Sequence, residues 1–309
     1  MRSHKLLFWV IPFFIFSLAT ACTSPIEPPE INGHDQEKIV VTVSILPQKY
    51  FVSRIGGDLV DVNVMVQPGD NPHVYEPKPE QFVQISKSKV YFSIGVEFEE
   101  VWLSKFTAAN DKMRLVDTTA GIEKIEIETI SLGSISTKKV EADHAHDFLD
   151  PHVWTSPELV KMMSINIYET LSDIDPENKQ VYKENLDEFI TDINDLESEI
   201  RDTLSSIKTN KIMVFHPAWG YFARDFGLEM ITVEIGGQEP SAAELAEIIT
   251  LAKKENIKVV FAQPEFNVAA ANTIAQALDG EVLLISPLAL DWLENLRYAA
   301  NTFARVLGN

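Results

Sequence analysis

The chain has 309 residues, 45% of them hydrophobic, and 26 basic residues against 46 acidic ones give a net charge of −20. That length can bury a sizeable core and exceeds one ordinary domain, while the acidic balance disfavours nucleic acid, whose binding needs basic patches. A single cysteine rules out an intrachain disulfide and any cysteine-rich zinc cage.

Arg2 and Lys5 precede an uncharged apolar stretch at residues 6–21, the pattern of a secretory signal peptide over residues 1–21. The stretch is short for a membrane span, which takes about 20 apolar residues, and Pro12 interrupts it. It ends Leu18-Ala19-Thr20-Ala21-Cys22, which resembles a bacterial lipobox. Cleavage before Cys22 would leave its thiol to carry lipid, with the polar, proline-rich residues 22–38 as a flexible tether from a membrane surface.

Beyond the tether, β-rich apolar runs alternate with helical stretches. The first half has runs at residues 40–45, 62–66 and 90–94 and a weaker one at 115–116; the second half has 212–215, 231–235, 259–262 and 282–285. Continuous apolar runs separated by helices indicate buried parallel strands with helices on both faces. Ser156-Pro157 and Asp175-Pro176-Glu177 read as helix starts with proline at the first helical position, and Ser241-Ala242-Ala243-Glu244 as a capping box. Tyr182, Leu186, Phe189, Ile193, Leu196 and Ile200 recur at three- and four-residue spacing among acidic residues. They predict an amphipathic helix over residues 176–207, roughly 45 Å long at 1.5 Å per residue. The fold class is α/β: two doubly wound parallel-sheet lobes at residues 39–175 and 208–309, joined by that long, stiff helix. The same spacing also suits a helix packed within one lobe.

Seven histidines are present, and three stand beside a proline next to an apolar run. They are His73 in Asn71-Pro72-His73-Val74-Tyr75-Glu76-Pro77, His152 in Asp150-Pro151-His152-Val153-Trp154, and His216 in Val214-Phe215-His216-Pro217-Ala218-Trp219-Gly220. Imidazole is the commonest protein ligand for a transition metal, and three with one carboxylate make a closed zinc site. Prolines stiffen such loops and lower the entropy lost on ordering them. Ligands of open α/β sheets sit beyond the carboxyl ends of the strands, which places these histidines in a cleft between the lobes. Asp291, after the last strand, is a candidate fourth ligand and equally a cap for a final helix over residues 292–307; Glu76 or water are alternatives. His144 and His146, in an acidic loop, form a possible auxiliary metal-binding segment. Trp154 and Trp219 would wall the site.

At these residues the chain resembles the cluster A-I solute-binding lipoproteins of bacterial ABC transporters, the receptors for zinc and manganese. The resemblance spans nearly all of the chain after the tether and rests on the three histidine segments above together with Glu239-Pro240-Ser241. It implies a rigid backbone helix, metal held between the lobes by His73, His152, His216 and an acidic residue, an ABC permease as partner and a monomeric receptor. In that family a histidine at the third position goes with zinc and a glutamate with manganese, so His216 points to Zn2+, with Mn2+ the alternative; imidazole chemistry agrees. The sequence departs from the family in a shortened histidine loop and in Ser286-Pro287-Leu288, where an aspartate is usual in place of Ser286; Asp291 is then the best match to the family's acidic ligand.

The expected function is extracytoplasmic capture of zinc and its delivery to a permease, without enzymatic activity. A zinc hydrolase is the first rival, and it lacks a His-Glu-x-x-His motif. A surface adhesin with an incidental metal is the second.

Overall fold

The computed structural model describes residues 37–127, 149–234, 238–266 and 268–308. The expected signal peptide, Cys22, the residues before 37, and His144 and His146 lie outside these described residues.

The first sheet is built from β1 (Ile39–Val43), β2 (Val60–Val64), β3 (Val90–Ser93) and β4 (Arg114–Asp117), all parallel in the order β2-β1-β3-β4. Parallel neighbours need crossover connections, supplied by α1 (Leu46–Gly56), α2 (Pro79–Ile85) and α3 (Glu97–Ala109). The second sheet repeats the plan with β5 (Lys211–Val214), β6 (Glu229–Thr232), β7 (Val259–Ala262) and β8 (Glu281–Leu284), ordered β6-β5-β7-β8. Its helices are α6 (Gly220–Phe226), α7 (Ala242–Lys254) and α8 (Ala269–Ala277). In each sheet the chain moves outward from the first strand and then crosses to its other side. Loops diverge at that switch point and leave a crevice at the strand ends.

Between the sheets run α4 (Pro157–Ile174) and α5 (Lys179–Leu204), and the chain closes with α9 (Trp292–Leu307). Two of the three expected helix starts are side-chain caps, whereas Asp175-Pro176-Glu177 opens a short 3-10 turn, Pro176–Asn178, without a side-chain cap, and α5 begins after Asn178. Ser156 accepts from the Leu159 amide, and Ser241 and Glu244 form the reciprocal capping box. The 26 residues of α5 span about 39 Å. The six apolar residues singled out by spacing, Tyr182 to Ile200, are all buried, so the stripe is the face that packs and the acidic face meets solvent.

One apolar core passes from the first sheet through α1, α4, α5 and α9 to the second sheet, and a smaller core fills the far side of the second sheet under α7 and α8. The lobes are thus tied by packing as well as by the chain. Trp292 of α9 lies edge-on to Phe51 of α1 at 5.2 Å and to Phe189 of α5 at 6.3 Å. Its indole N–H donates to the Trp154 carbonyl at 2.7 Å, and the Trp154 indole N–H donates to the Pro287 carbonyl at 2.9 Å. Removing a fully buried tryptophan costs about 3–5 kcal/mol through lost transfer energy and the cavity left behind. Trp292→Ala should therefore lower the unfolding free energy by about that amount in urea titration. Because the residue spans both lobes, the loss should appear as one cooperative transition.

Among the described residues, no helix is long and apolar enough to cross a membrane.

Candidate metal centre

Each expected histidine sits on a segment fixed by its own local bonds. His73 lies in the loop between β2 and α2, where the Asn71 side chain accepts the His73 amide at 2.9 Å and forms a local turn. Tyr75 donates to Gln81, and Gln81 donates to the Met65 carbonyl at 2.7 Å, which pins this loop to the end of β2. His152 opens a short 3-10 turn, Val153–Thr155, that leads into α4. His216 directly follows β5 through Phe215, and Gln263, just after β7, donates to its carbonyl at 3.3 Å.

The three Nε2 atoms converge. His216 Nε2 is 3.0 Å from His73 Nε2 and 3.2 Å from His152 Nε2, and the three ligand atoms lie within 4.8 Å of one another. Tetrahedral zinc with Zn–N bonds of 2.0–2.1 Å sets its ligand nitrogens about 3.3 Å apart, close to the two separations from His216 Nε2.

On the outer side of each ring a carboxylate takes Nδ1. Glu97 contacts His73 Nδ1 at 2.7 Å, Asp150 contacts His152 Nδ1 at 2.7 Å, and Glu234 contacts His216 Nδ1 at 2.6 Å. A carboxylate at Nδ1 holds the proton there and leaves the Nε2 lone pair free, which is how metal-ligating histidines are oriented. Lone pairs facing the His216 nitrogen at 3.0 and 3.2 Å repel it, and a cation among the three turns that repulsion into coordination. Burial holds the His216 pKa down to about 4, against the opposing hydrogen bond to Glu234 and with the neighbouring histidines adding to the depression. Burial is the largest influence on Glu97 and works against its ionisation, but the hydrogen bond and charge of His73, with smaller help from a backbone hydrogen bond and His152, together keep that carboxyl below its ordinary range.

His152, Asp150, His216 and Glu234 have side chains no more than 7% exposed, whereas His73 is 19% and Glu97 46% exposed. The centre is therefore closed around the Asp150–His152 and His216–Glu234 pairs and open on the His73–Glu97 side. Phe266 stacks on the His216 ring at 4.5 Å and 22° and lies 5.9 Å from His73, a dry wall beside two of the imidazoles. Trp154 sits 5.1 Å from His152, and Trp219 packs edge-on to Phe222 and Phe303.

The structure does not bring the other expected carboxylates to this point. Among the described residues the cluster contains the three histidines alone. Asp291 is exposed, and its side chain accepts the Glu294 amide as the N-cap of α9. The free N–H groups of the helix end claim it, as they favour aspartate at such positions. Glu76 is also exposed and outside the cluster. Sequence reasoning missed Glu97, Glu234 and Phe266. A glutamate closing the apolar run Ile231-Thr232-Val233 was the available signal for Glu234, since a charge there must find a buried partner.

Gly220 makes the Asp150–His152 pair possible. Asp150 accepts both the His152 amide at 2.8 Å and the ring nitrogen, while Tyr221 donates to its carbonyl at 2.8 Å. A Cβ on residue 220 would lie 2.9 Å from Asp150 Oδ2, too close without moving the carboxylate. Gly220→Ala should weaken zinc binding about tenfold, the lower end of what losing such an orienting contact costs. Chelator competition reads the affinity, and circular dichroism checks that the fold is retained.

The chain matches the family described as zinc-uptake complex component A, periplasmic (ZnuA), over residues 41–306. It is 28% identical over 256 residues to the high-affinity zinc uptake system protein ZnuA of Bacillus subtilis (strain 168), covering 82% of this chain and 79% of that protein. A crystal structure of ZnuA is 40% identical with a TM-score of 0.81, over 88% of this chain and all of the other. A zinc-bound deletion mutant of ZnuA is 39% identical with a TM-score of 0.80, over 88% of this chain and 99% of the other.

Proposed function

We propose that this chain, which belongs to the ZnuA family of zinc-uptake components, captures zinc outside the cytoplasmic membrane with His73, His152 and His216 and hands it to an ABC-type permease. The family is one of binding receptors, and the chain is not an enzyme. The observation that carries the choice of residues is the convergence of three Nε2 atoms, each ring held by a carboxylate at Nδ1. The carboxylates face the outer nitrogens and leave the inner face to imidazole, a donor set that favours zinc over manganese. A hydrolytic role would need a free general base at the metal; Glu97, Asp150 and Glu234 are each engaged by an imidazole.

The continuous core between the lobes supports capture with small lobe movements. Cys22 would carry lipid and hold the receptor at the membrane as a monomer; a Cys22→Ala chain should then be released from the membrane fraction. The central test is a titration of the metal-stripped chain, residues 23–309, with zinc and manganese in competition, followed by elemental analysis. One tightly held zinc per chain, undisplaced by excess manganese, is the expected result. Preferential manganese binding, or no tight site, refutes the assignment.

A further inference from the structure

The loop after β7 carries two acceptor oxygens without donors. Glu265 Oε2 and Gln263 Oε1 are buried and unpartnered, and Gln263 is only 2% exposed. The other oxygen of Glu265 takes the Ser286 hydroxyl, which in turn accepts the Leu288 amide at 3.0 Å. This same loop wraps His216: Gln263 holds its carbonyl and Phe266, next to Glu265, stacks on its ring. Glu265 also borders a cavity of about 250 Å³ between the lobes, with Ile45, Val66 and Gly69 on one side and Ser286 and Leu288 on the other. Gly69 belongs to the loop that leads to His73.

Buried acceptors with no donor call for a cation or a proton donor, never an anion. Zinc held by three imidazoles lacks a fourth ligand, and a carboxylate oxygen is one of the groups that complete it. We propose that Glu265 is that ligand: on metal binding its carboxylate leaves the single hydroxyl of Ser286 and closes the coordination shell, the role expected of Asp291. The inference rests on the zinc-receptor reading above. It accounts for a serine at position 286, whose hydroxyl parks the carboxylate by one oxygen and leaves the other free.

The test uses the full chain after the signal peptide, with Glu265→Gln, Asp291→Asn and His216→Ala compared to the unmodified protein. Three properties are read: zinc affinity by chelator competition, the visible absorption of the Co2+-loaded form, and the melting temperature without metal. Glu265→Gln should weaken zinc by about 10-fold or more, alter the Co2+ spectrum, and leave the metal-free melting temperature unchanged or higher. Asp291→Asn, which keeps a good helix cap, should bind within about twofold of the unmodified chain. Unchanged affinity and spectrum in Glu265→Gln overturn the proposal. So does weaker binding with an unchanged spectrum and a lowered metal-free melting temperature, which would mark a structural role. A loss of affinity in Asp291→Asn would return the ligand to that residue. Failure of the unmodified chain to bind zinc, or of His216→Ala to lose it, strikes the zinc-receptor reading instead.

Discussion

His216→Ala should weaken zinc binding by roughly 10²–10³-fold. Structural zinc sites bind with about 10–16 kcal/mol shared over four ligands, so one imidazole contributes about 3–4 kcal/mol. His216 is also the ring both other Nε2 atoms approach, at 3.0 and 3.2 Å, so its removal opens the centre rather than trimming its edge. The same substitution leaves Glu234, 7% exposed, without the Nδ1 that it meets at 2.6 Å, and an unpartnered buried charge destabilises the metal-free fold strongly. The two effects separate in a double variant. Adding Glu234→Gln to His216→Ala should recover much of the metal-free melting temperature without recovering zinc affinity. Recovery of affinity would mean that His216 acts only through the fold.

The contrast between His216 and Asp291 shows how far the site could be read in the sequence. All eight strands among the described residues and the long helix were legible from apolar runs and a three-to-four spacing, although the runs read as buried at β4 and β8 are in fact edge strands with Leu115 42% and Leu284 50% exposed. The strand ends were less so. The runs at residues 62–66 and 231–235 pointed to strands that in fact end at Val64 and Thr232. Past those ends Met65, Val66 and Val233 are buried and still donate backbone N–H groups to the Val43, Ser44 and Val214 carbonyls, each at 2.9 Å. The apolar runs thus followed burial and backbone pairing together past the last residues of β2 and β6, up to where the chain leaves the sheet to build the site. The histidines could be found since each carries its own proline-stiffened segment. Asp291 could not be resolved, because one aspartate serves equally as a helix cap or a ligand. Glu97 and Glu234 could not be paired with their histidines from spacing, as each contact joins elements far apart in the chain. Nothing local in the sequence marks Glu265, whose interest lies in the partner it lacks.

Acid should destabilise the metal-free protein before it reaches the ordinary carboxylate range, and His216 is the cause. Its pKa falls to about 4 on folding from an ordinary value of 6.5, so between those limits the unfolded chain binds a proton that the folded chain does not. Stability then rises with pH across this window and is lost as pH falls through it. At 1.36 kcal/mol per pKa unit the full swing is about 3 kcal/mol. Urea titrations of the metal-free chain at pH 7, 5.5 and 4.5 should show a progressive loss, and His216→Asn, whose amide can still donate to Glu234, should flatten the profile over the same range. Zinc makes the dependence steeper, because the metal binds only neutral imidazole and stabilises the folded chain in proportion to its occupancy. The gain in melting temperature from zinc should therefore shrink as pH falls from 7 toward 4.5. A gain that is constant over this range would mean that the cation is not held by imidazole nitrogens, and that the convergence of the three rings has another cause.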